Sequence, residues 1–443
     1  MDLQDLKQRL IAGTSVTFLG SCATLSFGLL LTVVLGKALD LQSFGLMMAA
    51  VSTASLTWGF LDVRFGEAVI KFGVDFVANG EREKALGLIR FSYLVELGLA
   101  LFVFAIMFFP ASFIAKHIYC KPETETLIRI AAFIPLLGFS TATSTAVLRA
   151  FQRFGDITAG VAFAGALRFL LPVLLCLFCA GPERDIRYIL PGYPLAALAA
   201  TLIFAGLAWR TVRREFPGVK AASIRSDLRQ VVPFVLLTFL SNIFKALSRG
   251  DLAVAMVTRW RTAVEVSYLK IGLQVSGMLT VIPSSVGFVT FPSFAELWAK
   301  NERKMFLHVI RRLAQGLALL MAAGAVLVLV VVPPFIKVWK SDFLPAMNVI
   351  YWLVAAAAVD GVCCWIRPAS LSLGKPWIST LVNLVRMVVL VGLGCLLVPE
   401  IGYVGIGVAT LALAVLSMGL GAFLVLKSVL SEQQNDERNS QTG

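Results

Sequence analysis

Five basic side chains stand inside long apolar runs, where a helix facing lipid should carry none: Arg168, Lys245, Arg249, Lys270 and Arg386. A charge near the bilayer centre costs about 2.5–3.5 kcal/mol on insertion scales. Cations at that depth therefore call for a hydrated path, an anionic partner or both. Lys245 and Arg249 are four residues apart in the run from Val231 to Val257, a spacing that stacks side chains on one face of a continuous helix. Lys270, in the next run, falls at a depth similar to that of Arg249, so the three form one expected layer of anion-binding groups. The competing reading of Arg249 is a helix that ends near Gly250 and lets the side chain snorkel to the surface. Arg168 and Arg386 sit near the middle of the fifth and eleventh runs. Either they line the same path, or each is held by a carbonyl or an acid of its own half. Among the acids, Glu96 and Asp360 lie inside runs, while Asp62 and Glu265 lie near run ends. A carboxyl group at such depth can carry a proton, which makes Glu96 and Asp360 candidates for coupling to an ion gradient. Pairing with an arginine is the structural alternative for both.

The elements that must position these residues are membrane helices. The chain has 443 residues, 58% of them hydrophobic and only 15% charged, with a mean hydropathy of +0.85. A soluble domain carries about 25% charged residues. The formal charge is +13, but the basic residues fall in short loops between apolar runs, which argues for membrane orientation and against nucleic-acid binding. Twelve spans are expected, at 11–35, 44–61, 89–109, 127–148, 157–179, 189–209, 231–257, 264–291, 313–332, 347–366, 378–398 and 404–426. Lysine and arginine concentrate in alternate loops in a pattern that puts both termini in the cytoplasm. The basic segment with Arg210, Arg213, Arg214, Lys220, Arg225 and Arg229 suits contact with anionic headgroups. The expected organisation is a six-helix lobe over 1–210, a linker over 211–230, a second six-helix lobe over 231–428 and a polar tail over 429–443.

A shift of 221 positions brings ANGEREKALGLIR, from Ala78, onto AKNERKMFLHVIR, from Ala299. Ala78/Ala299, Glu81/Glu302, Arg82/Arg303, Leu86/Leu307, Ile89/Ile310 and Arg90/Arg311 are identical pairs. Such a repeat makes the two halves equivalent and equally oriented, with a ligand held between them. Enzyme signatures are absent: there is no phosphate-binding glycine loop, no HExxH and no nucleophile elbow. Cys176 and Cys179 form a CxxC pair within an apolar run, with no second pair and no nearby histidine, so they read as small buried residues. Neither a metal nor a cofactor is expected.

Four stretches carry a resemblance: LGKALDLQSFGLMMAA after the first span; FLDVRFGEAVIKF running into VANGEREKALGLIR; DLAVAMVTRWRTAVEVSYLKIG; and LGKPWISTLVNLVR with PEIGYVGIGVAT. Together they make the chain resemble the polysaccharide-lipid flippases of the multidrug/oligosaccharidyl-lipid/polysaccharide exporter superfamily. Lys37 stands where that family usually has arginine, and Val266 or Ser267 where it has glycine. The resemblance implies an all-α polytopic membrane protein, two pseudo-symmetric six-helix bundles around a central cavity that alternates between its two sides. It implies movement of a polyprenyl-pyrophosphate-linked oligosaccharide across a bacterial inner membrane, alongside glycosyltransferases and a polysaccharide polymerase. It carries a headgroup-binding role to Lys245, Arg249 and Lys270. The alternative in the same superfamily is an ion-coupled multidrug exporter, expected to carry an acid deep in the first span, yet 11–35 contains neither Asp nor Glu. A membrane polymerase or ligase is the other alternative, and the outer loops are too short for one.

Overall fold

The computed structural model describes residues 3–178, 184–225, 227–281 and 302–442, with 283, 284, 286, 290, 294 and 296–298 between the last two. Side chains are described for residues 20 to 432 of these, apart from 21, 237 and 241. All regular structure among the described residues is helical. In chain order the main helices are α1 (Leu3–Ala38), α2 (Leu41–Leu61), α3 (Phe65–Ala78), α4 (Arg82–Phe108), α5 (Glu125–Ala131), α6 (Phe133–Leu137), α7 (Thr141–Ala150), α8 (Phe154–Phe178), α9 (Gly192–Glu215), α10 (Leu228–Ala246), α11 (Gly250–Trp260), α12 (Ala263–Leu279), α13 (Arg303–Trp339), α14 (Met347–Val362), α15 (Ile366–Ser372), α16 (Trp377–Ile401) and α17 (Tyr403–Thr442).

Lipid offers backbone groups no hydrogen-bond partners, so long apolar runs close their amides internally as helices. Ten helices among the described residues are long and apolar enough to cross a membrane. The two other expected spans correspond to α1, whose described apolar part is Cys22–Ala38, and to α12, whose 17 residues lead into the sparsely described stretch. Large apolar side chains such as Leu319, Val330 and Leu396 face outward, as lipid contact requires. The last helix continues through the polar tail to Thr442. Nothing in SEQQNDERNSQT breaks it, and Lys375 pairs with Glu432 at 3.0 Å.

One expected feature of the chain is corrected. The run from Val231 to Val257 is not one helix: α10 ends at Ala246, and Arg249 is extended, with φ −91° and ψ 161°. Lys245 and Arg249 therefore do not stack on a common helical face. The local chemistry explains the break. The Ser248 hydroxyl takes the Lys245 carbonyl at 3.0 Å, and Gly250 with Asp251 opens α11, where an acid suits the positive helix end. A second break lies at Arg64. The chain stays helical through Ala78, interrupted only at 62–64, where Asp62 accepts from the Arg64 amide at 2.9 Å and Arg64 takes a left-handed φ of 55°. Helices α3 and α4 then form a hairpin around Asn79–Glu81.

One turn of the repeat read from sequence recurs in the backbone. Glu81 and Glu302 precede α4 and α13 with nearly the same conformation, φ −85° and ψ 54° against φ −85° and ψ 62°. Their amides make equivalent bonds, Glu81 to the Phe76 carbonyl at 2.8 Å and Glu302 to that of Leu297 at 3.0 Å.

The chain forms two compact units, Ser15–Ser267 and Tyr268–Gly443 with Met1–Thr14. In the first, Phe65, Val69, Leu88, Val147, Val231 and Val235 make a buried core between α3, α4, α7 and α10. Phe216 and Ile224 of the connection after α9 join it, and the Ala222 amide bonds the Glu83 carbonyl at 3.0 Å. In the second, Phe294, Phe306, Trp365, Ile378 and Val425 form the corresponding core. Close helix contact there relies on Gly407, where an added Cβ would lie 2.8 Å from the Trp352 Cβ.

Candidate functional site

The breaks in the α2–α3 and α10–α11 segments meet within the first unit, and a charged knot forms where they do. Asn242, on α10, is only 5% exposed. Its amide nitrogen donates to the carbonyls of Gly59 at 2.9 Å and Asp62 at 3.0 Å, which end α2 and lack helical partners. Its side-chain oxygen accepts from Arg64 Nε at 3.0 Å. The same guanidinium donates through Nη1 to Glu67 at 2.7 Å. Arg64, Glu67 and Arg249 all act electrostatically on Asp62, which places Arg249 beside this knot. Left-handed backbone at a branched or long side chain costs about 1–2 kcal/mol, and the two side-chain bonds hold Arg64 there.

Glu96 sits level with the knot. About 15 residues on each arm of the α3–α4 hairpin separate its turn from Arg64 and from Glu96, roughly 22 Å of helix. Glu96 is 4% exposed, accepts from the Thr143 amide at 3.3 Å and feels Asp62. Beside it a hydroxyl ladder joins α4 to α7: Ser92 to Thr143 at 2.6 Å and Tyr93 to Ser144 at 2.9 Å.

The other expected site residues are distributed as follows. Lys245 is half-buried in the last turn of α10. Lys270 is half-buried on α12 and belongs to the second unit. Arg168 is exposed on α8, near enough to Tyr193 at the start of α9 to interact with it electrostatically. Arg386 on α16 makes a two-pronged ion pair with Asp360 on α14, both bonds at 2.7 Å. A residue expected to bind substrate and one expected to couple ions thus neutralise each other within one unit. No group of three or more His, Cys, Asp or Glu suited to a metal occurs among the described residues.

Sequence reading missed Asn242, Glu67 and the role of Arg64. The signal for Asn242 was its place as a lone amide in an apolar run. That for Arg64 was the short Asp-Val-Arg turn between two apolar stretches. A further clamp lies outside the spans. Lys121 Nζ donates to the carbonyls of Thr258 and Arg261, at the end of α11. Burial pushes its ammonium below the usual lysine range, partly offset by Glu123 and Glu265.

Comparison with known proteins gives this arrangement its kinship. No curated protein sequence matches the chain. Among solved structures, a mutant of the MATE transporter VcmN from Vibrio cholerae is similar, with 15% identity, a TM-score of 0.66 and coverage of 97% of this chain and 98% of that one. The lipid II flippase MurJ in an inward closed conformation gives 14% identity and a TM-score of 0.70, covering 95% and 89%. A MOP superfamily transporter from Pyrococcus furiosus, described as having a binding pocket of reverse polarity, gives 13% and 0.64, covering 95% and 96%. The fold is therefore that of the multidrug/oligosaccharidyl-lipid/polysaccharide exporters, a polytopic all-α membrane protein. A family model described as "Polysaccharide biosynthesis protein" matches residues 10–298, more than half of the sequence, and the chain belongs to that family.

Proposed function

We propose that the protein is a flippase that carries a polyprenyl-pyrophosphate-linked oligosaccharide from the cytoplasmic to the outer leaflet of a bacterial inner membrane, with both termini in the cytoplasm. The observation that carries this reading is cationic. In a chain of the polysaccharide biosynthesis family, Arg249 sits at a helix break inside the apolar sequence, with Lys245 one segment earlier. A diphosphate offers several anionic oxygens, and charge-assisted hydrogen bonds to ammonium and guanidinium groups are the strong ones. In this reading Lys245, Arg249, Lys270 and Arg168 hold the headgroup while the prenyl tail stays in lipid. Arg386 is committed to Asp360 and would reach a substrate only when that pair opens. Of the two proposed coupling acids, Glu96 is the better placed, because it accepts only from an amide and a hydroxyl of Thr143 and no cation neutralises it in the described contacts. Glycosyltransferases would supply the lipid-linked glycan and a polymerase would use it.

The test is flipping of a fluorescent lipid-linked oligosaccharide in proteoliposomes, comparing wild type with Arg249→Ala/Lys270→Ala at equal reconstituted protein. Transport should fall by at least about tenfold, the equivalent of 1.4 kcal/mol of lost binding. Unchanged flipping would remove the cationic path. Efflux of organic cations in place of lipid flipping would favour a multidrug exporter.

A further inference from the structure

Where α8 begins and α9 ends, the first unit contains two adjoining hollows that play no part in the proposed transport path. One, of about 220 Å³, is lined by Arg153, Asp156, Leu207, Arg210, Thr211 and Arg214. The other, of about 600 Å³, is a largely apolar groove between the same helices, with Gly160, Phe163, Gly206 and Trp209 among its walls. Leu207 and Arg210 line both, so the charged chamber and the apolar groove lie side by side along α9. Leu207, Arg210 and Arg214 are three and four residues apart and share one face of α9. Open space faces Gly206, where a Cβ would meet nothing within 4 Å. Phe163 and Trp209 are 64% and 59% exposed along it, which in a membrane means exposure to lipid. Arg213 stacks its guanidinium 4.6 Å from the Trp209 ring and steadies that wall.

Three guanidinium groups and one carboxylate leave the chamber strongly positive, and an apolar groove adjoins it. Free phosphate would use only the chamber, and an uncharged lipid only the groove. We infer that this composite hollow binds an anionic glycerophospholipid of the bilayer. Its phosphate lies between Arg153, Arg210 and Arg214, and one acyl chain runs along the groove past Gly160 and Gly206. Asp156 accepts from a headgroup hydroxyl, which favours a glycerol headgroup of the phosphatidylglycerol kind over one with a second phosphate. Basic pockets between membrane helices at the cytoplasmic face suit such headgroups.

The test uses the purified full-length chain in detergent with phosphatidylglycerol, phosphatidylethanolamine or phosphatidylcholine, counting retained lipids by native mass spectrometry. Phosphatidylglycerol should be retained preferentially. Arg153→Gln/Arg210→Gln/Arg214→Gln should weaken that retention roughly tenfold to a hundredfold, since each basic residue near a headgroup contributes about 1 kcal/mol. The charge-matched control Lys304→Gln/Arg311→Gln/Arg312→Gln should retain it. Phosphatidylglycerol with brominated chains should quench fluorescence in wild type, and Trp209→Phe should remove the quenching specific to that lipid. Should the triple variant fail to fold, Gly206→Leu serves instead, because it fills the groove, leaves the charges and should abolish the same quenching. Equal losses in both charge variants, equal retention of phosphatidylethanolamine, or displacement by millimolar inorganic phosphate would each overturn the assignment.

Discussion

Asn242→Leu tests whether the knot between the two broken segments holds the first unit together. Leucine nearly conserves volume, so the change removes hydrogen bonds and leaves packing in place. Three bonds are lost: to the Gly59 carbonyl (2.9 Å), to the Asp62 carbonyl (3.0 Å) and from Arg64 Nε (3.0 Å). Polar contacts between membrane helices average about 0.6 kcal/mol in double-mutant cycles. A bond to a charged group contributes about 1.5–3 kcal/mol. Two of the first kind and one of the second give an expected loss of about 2.5–4 kcal/mol. The assay is reversible unfolding in mixed micelles, with the Arg64→Met single variant and the double variant completing a cycle. The coupling energy should reach about 0.5–3 kcal/mol, because the two side chains share a bond. A loss below about 0.5 kcal/mol for Asn242→Leu, or strict additivity with Arg64→Met, would refute the reasoning. In either case the α2 carbonyls would have found other partners and the knot would not be a structural device.

Asp360→Asn or Arg386→Met alone should each destabilise the second unit by about 3–5 kcal/mol, and the two together by less than either, read by thermal unfolding. Gly45→Ala would drive a Cβ into the Ala263 carbonyl and to 2.8 Å from Ser267 Oγ; the melting temperature should drop with a cost of about 1–3 kcal/mol. Lys121→Met should speed hydrogen exchange at residues 258–262, where Lys121→Arg should keep much of the protection.

The apolar runs, their approximate ends and the repeat were legible because each depends on local composition. Glu81 and Glu302 show how far that goes: identical residues at a fixed shift carry nearly the same dihedral angles and an equivalent backbone bond. The breaks were harder to read. Hydropathy treats Val231–Val257 as one run, whereas Ser-Arg-Gly-Asp within it can end one helix and start another. Which outcome wins depends on whether the freed carbonyls find partners. For α2 the partner is Asn242, which lies 180 residues from Asp62 in sequence. No window along the chain contains that contact. Asp360 and Arg386 were both visible as charges inside adjacent spans, but their pairing depends on the packing of α14 and α16 in one unit. An uncharged amide and a tertiary ion pair are the two features that hydropathy and charge counting do not register.

The pattern of partners separates the cations in apolar sequence into two kinds. Arg386 has both oxygens of Asp360, and Arg64 has Glu67, Asn242 and the field of Asp62. Each is locked by geometry, with bonds of 2.7–3.0 Å that an incoming anion would have to break. Arg249 differs, because its side chain is exposed and its backbone is extended at the start of a helix. Its charge, like that of Arg64, acts on Asp62 from nearby. An exposed cation at a break where the chain already departs from helix is open to an incoming anion. That asymmetry, more than the number of positive charges in apolar sequence, sets Arg249 apart from Arg64 and Arg386.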